Sequence, residues 1–67
     1  MYREMKAHQV AAKQSILCQE ERFVLYVPES FPYDAAYDVV SSLDLETYYD
    51  GYRDSDLVAC YVNGTKQ

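Results

Sequence analysis

The chain has 67 residues, room for one domain at most, and a formal charge of −5 from 11 Asp and Glu against 6 Lys and Arg. Apolar residues make up 49%, a globular and not a disordered level. So small a body leaves little room for a supported catalytic cleft, and the longest strong apolar run, Phe23 to Val27, is far short of the roughly 20 residues that span a bilayer.

Residues 1–14 hold good helix formers, among them Glu4, Lys6, Ala7, Ala11, Ala12 and Lys13. Their apolar spacing, Tyr2, Met5, Ala12 and Ile16, gives only a weak stripe, so a helix and an extended arm both fit. Residues 15–28 predict a strand pair. Arg22 to Val27 is rich in β-branched and aromatic residues, Ile16-Leu17-Cys18 is the partner, and Gln19 to Glu21 form the turn. Residues 32–43 predict the main helix, because Tyr33, Ala36, Tyr37, Val40 and Leu43 share one face. Ser30 is its cap, Pro32 suits the first turn, and Asp34 lies near the positive end of the dipole.

Residues 44–56 predict an acidic short helix and loop, with Asp44 as N-cap and Gly51 just past the helix end. Leu57 to Val62 predicts a strand, closed by the turn pair Asn63-Gly64. The expected fold is α+β: one main helix packed on a small three-stranded antiparallel sheet, in the order (α)ββαβ, with an extra short helix after the main one. In both 23–27 and 57–62 the two alternating sets are apolar, which predicts a sheet covered on both faces. The main helix covers one. The N-terminal segment, a second subunit or a partner covers the other.

Catalytic chemistry is hard to assemble from this inventory. His8 is the single histidine, and pairing it with Cys18 requires the N-terminal segment to fold back. It reads as a surface residue, and the protein as a non-enzyme. Cys18 and Cys60 lie in apolar runs and read as reduced, structural thiols. Asp50, Asp54 and Asp56 lack the spacing of a calcium loop and read as a solvated acidic loop. No metal or cofactor is expected. Asn63-Gly64-Thr65 fits a glycosylation sequon, but no secretory signal precedes it, so it reads as a turn in a cytoplasmic protein. Six scattered basic residues do not make a phosphate-binding patch, so direct nucleic-acid binding is not expected.

What stands out is where the charge lies. Residues 28–56 carry Glu29, Asp34, Asp38, Asp44, Glu46, Asp50, Asp54 and Asp56 against Arg53 alone, a net −7. Asp34, Asp38, Glu46, Asp50 and Asp54 follow a step of four, with Ser42 filling the gap. On a helix that step rises about 6 Å, near every second phosphate of a DNA strand at about 3.4 Å each. The row also drifts by about 40° per step, so it leaves a single helix face. Tyr48, Tyr49 and Tyr52 offer flat faces and hydroxyls to a partner's Arg and Lys.

Two readings follow. In one, Asp34, Asp38, Glu46, Tyr48, Tyr49, Asp50, Tyr52, Asp54 and Asp56 form an acidic surface that blocks a basic, nucleic-acid-binding site on a partner protein. In the other, the charge serves solubility, and the protein is a structural or regulatory module that acts through an apolar sheet face or as a homodimer. In size, charge and tyrosine content the chain resembles the small host-takeover and defence-inhibitor proteins of bacteriophages. The resemblance is one of type, with no motif in common, and it implies the first reading, in the cytoplasm of the host.

Overall fold

The computed structural model describes residues 2–27 and 36–67. Helix α1 (Glu4–Leu17) leads to strands β1 (Arg22–Tyr26) and β2 (Tyr37–Val40), then to the short helix α2 (Ser42–Thr47). A 3-10 turn (Asp54–Asp56) precedes strands β3 (Leu57–Val62) and β4 (Thr65–Lys66). All pairings are antiparallel, and the sheet order is β2-β1-β3-β4. The class is α+β, with helix packed on sheet, as the sequence predicts. No helix among the described residues is long and apolar enough to cross a membrane.

Several elements differ from expectation, and the sheet has four strands instead of three, because the chain continues past the Asn63-Gly64 turn into β4. The main helix is the N-terminal one, and it runs through Ile16 and Leu17. The predicted strand pair at 15–28 does not form, since among its described residues only Arg22–Tyr26 is a strand. A helix already nucleated over Ala-rich residues extends by one hydrogen bond per residue, which a three-residue strand cannot match. Cys18 caps the helix, donating its N–H to Gln14 at 2.9 Å, and Gln19 at φ +54° turns the chain away.

The predicted 32–43 helix is replaced by a strand at Tyr37–Val40, while Ser30 and residues 32–35 lie outside the described residues. Aromatic and β-branched side chains favour this outcome, because on a strand Tyr37 and Val39 pack on the α1 side while Val40 packs with Leu45 of α2 on the other. Val39 stands opposite Val24, and Val40 opposite Phe23. Helix α2 begins three residues before the predicted start. Ser41 is its N-cap, and Asp44 sits at N3, completing a capping box: Ser41 Oγ accepts from the Asp44 N–H, and Asp44 Oδ2 accepts from the Ser41 N–H, both at 3.1 Å.

The sheet is covered on both faces by its own chain. On one side α1 lays Ala7, Ala11 and Ser15 against Val24, Ala59 and Tyr61, with Val39 and Val58 packed around them. A register shift between Val24 and Leu25 pairs them with Ala59 and Leu57, which lets Val58 join Ala59 on this side. On the other side Leu25, Val40 and Leu45 form a second cluster, joined by Phe23, Val27, Tyr49 and Leu57. Burying side chains such as Val24 and Leu25 contributes about 1.5–3 kcal/mol each.

The edges are guarded as well. Tyr2 bridges β2 through two backbone hydrogen bonds with Tyr37, at 2.7 and 3.0 Å. On the other edge β4 is two residues long and ends in Lys66. Asn63 and Gly64, at φ +52° and +83°, make the β3–β4 hairpin turn. Ser15, fully buried, accepts the Gly64 N–H at 2.7 Å and donates to the Ala12 carbonyl at 2.8 Å, fixing the turn to α1.

Candidate functional site

The segment after α2 folds back over the end of β1. A turn closes through the Tyr52 N–H to the Tyr49 carbonyl at 2.9 Å, with Gly51 at φ +90° in its third position. Between this turn and β1 lies a cleft of about 610 Å³. Leu25, Tyr26 and Val27 line one side of it, and Tyr48, Tyr49, Asp50, Tyr52, Arg53 and Asp56 line the other. Tyr48 is 76% exposed, while Tyr26 and Tyr52 keep more than a third of their surface open. Tyr26 also packs on Tyr37, with ring centroids 5.2 Å apart.

Asp38 reaches this segment from strand β2. It stands opposite Leu25, on the α2 side of the sheet, where it accepts the Tyr49 hydroxyl at 2.5 Å. Its other oxygen accepts the Val39 N–H at 2.8 Å. The hydrogen bond to Asp38, with burial and the Asp38 and Asp44 charges, pushes the Tyr49 phenol up to about 12. A phenol raised on folding adds stability that is complete below its unfolded pKa of about 10 and lost as pH climbs through the folded value. Absorbance titration at 295 nm should thus show one tyrosine ionising near pH 12, and Tyr49→Phe should remove that step. A titration unchanged by Tyr49→Phe would contradict the bond.

Of the predicted site residues, the structure brings Tyr48, Tyr49, Asp50, Tyr52 and Asp56 to one cleft, with Asp38 behind them. Glu46, exposed on α2, and Asp54, exposed in the 3-10 turn, do not line it. Asp34 lies outside the described residues. The four-residue row is not a helical ladder: Asp38 is on a strand, Glu46 on α2 and Asp50 in a turn. Its helical rise therefore does not carry the comparison with phosphate spacing.

Besides Gly51 and Arg53 within the segment, sequence reasoning missed three cleft residues, Leu25, Tyr26 and Val27. They lie more than twenty residues upstream of Tyr48, and only the fold joins them. It also missed a second hollow of about 570 Å³, where Leu43 and Val62 meet Glu20, Glu21, Ser41 and Ser42. Leu43, predicted to end an apolar helix face, is 68% exposed there.

The other titratable groups sit apart. His8 is half-buried on α1, its Nδ1 2.7 Å from the Tyr61 hydroxyl and its Nε2 3.9 Å from Glu4. Ten residues of helical rise, about 15 Å, separate it from Cys18. Both cysteines are free. Cys18 is exposed at the end of α1 and not a buried hydrophobe, whereas burial and the Glu21 carboxylate push the half-buried Cys60 thiol up. No three His, Cys, Asp or Glu side chains are grouped to hold a metal ion among the described residues. Comparison of the chain with protein families, with curated proteins and with solved structures finds no significant match.

Proposed function

We propose that the protein works by contact and not by chemistry, as an inhibitor whose acidic, tyrosine-lined face occupies a basic, nucleic-acid-binding surface on a partner protein. One observation carries this reading: a single cleft gathers Tyr48, Tyr49, Tyr52, Asp50 and Asp56 from the most acidic stretch of the chain. Aromatic rings beside carboxylates suit the side chains of Arg and Lys, and tyrosine is enriched at protein interfaces. The cleft, and not a ladder of carboxylates, is the centre of the surface.

Capture of partners from a lysate on immobilised protein, at low and at high salt, tests the proposal. The retained proteins should be basic nucleic-acid binders. Salt and added duplex DNA should each release them, because exposed charges are screened within about 10 Å at 0.1 M salt and DNA competes for the same surface. The combined change Asp50→Asn, Asp54→Asn and Asp56→Asn should lower capture at least tenfold. Capture that survives salt, DNA and the triple change would overturn the reading.

A further inference from the structure

We propose that the cleft between β1 and the 48–56 segment selects arginine over lysine on its partner. The inference rests on the contact reading above and names the side chain that the cleft receives. Its volume, about 610 Å³, lies within the range of small-ligand sites. Two tyrosines, Tyr48 and Tyr52, line it with part of their surface open, while the ring of Tyr26 on the neighbouring strand packs on Tyr37.

Two carboxylates share the cleft with those rings. Asp50 and Asp56 make no side-chain hydrogen bond or ion pair among the described residues, and neither does Arg53 beside them. Across residues 50–56, three carboxylates face one guanidinium, so the local charge favours a cation. The wall is also fixed in advance. Tyr49 gives its hydroxyl to Asp38, and the turn at Gly51 holds Tyr52 beside it. A wall ordered before binding spares the partner the cost of ordering it.

Ring faces with adjacent carboxylates distinguish the two basic side chains. A guanidinium is planar and weakly hydrated, so it can stack on a tyrosine while its edge donates two hydrogen bonds to a carboxylate. An ammonium is compact and strongly hydrated, and gains little from the ring once it pairs with the acid. Simple charge attraction would treat the two alike.

The test uses the full chain and two blocked peptides of equal length, one with three arginines and one with three lysines at the same positions. Binding is read by fluorescence anisotropy at low salt. The arginine peptide should bind about three- to tenfold more tightly. Tyr48→Ala with Tyr52→Ala should bring it down to the level of the lysine peptide, while Asp50→Asn with Asp56→Asn should weaken both. Circular dichroism checks that the variants fold, and Tyr48→Ala alone, at a largely exposed position, serves if the pair does not. Equal affinity for the two peptides would overturn arginine selection and leave the contact reading intact. A preference that survives loss of the tyrosines would overturn this cleft as its seat. Binding of neither peptide would overturn the contact reading as well.

Discussion

Leu25→Ala is expected to leave the chain largely unfolded at 25 °C. Leu25 is 2% exposed on β1, which pairs with β2 on one side and β3 on the other. It joins Val40 and Leu45 in the cluster under α2. Truncating a buried leucine costs about 2–5 kcal/mol, including the cavity left behind. A core of this size supports about 3–5 kcal/mol in all, so the loss takes most or all of the margin. Leu17→Ala is the matched control: Leu17 is 71% exposed, and its loss should shift stability by no more than about 0.5 kcal/mol. Thermal melts of the two followed by circular dichroism decide the matter. A Leu25→Ala protein that melts with the wild type would mean that this cluster is not the core.

Gly64→Ala should be the next most damaging change, at about 1–3 kcal/mol. At φ +83° an L side chain carries a steric penalty of about 1–2 kcal/mol. The new Cβ would also sit 2.7 Å from Ile16 Cδ1, so Ile16 must move. Ser15→Ala attacks the same joint from the helix side. It leaves the Gly64 N–H without its acceptor, at about 1–3 kcal/mol. If both act through the one hydrogen bond, the double variant should lose at least about 0.5 kcal/mol less than the sum of the singles. Urea denaturation of the four proteins gives the coupling directly. Strict additivity would show that turn and helix are not joined through Ser15.

The strands β1 and β3 were legible because their alternation leaves both sets of side chains apolar, and only a strand covered on both faces needs that. Residues 37–40 were not, because Tyr37 with Val40 fits a helical period as well as Tyr37 with Val39 fits a two-residue one. Only the partner strand, distant in sequence, decides between the two. Helix α1 was half legible: its composition favoured a helix, but the residues it buries are Ala7, Ala11 and Ser15. Small side chains spaced by four register weakly as hydrophobic, yet they let a helix lie close on a sheet. Meanwhile Met5, Ile16 and Leu17, which do register, point outward.

The acidic-aromatic segment was legible as composition. Its members from Tyr48 to Asp56 lie close enough in the chain to meet whatever the fold. The floor of the cleft was not, because it comes from β1. Nor was the role of Asp38. Read as one carboxylate of a row, it is a strand residue that holds the ring of Tyr49 in place.

The strand order carries a consequence for how the chain folds. The second neighbour of β1 is β3, and some thirty residues of chain separate the two. Pairing them requires closing that loop, and the entropy of closure is lost before any contact across it forms. Until the loop closes, Val24 and Leu25 lie on a strand that is open along one edge. For the folding chain, the exposed flank of β1 is a brief liability that the last strands remove.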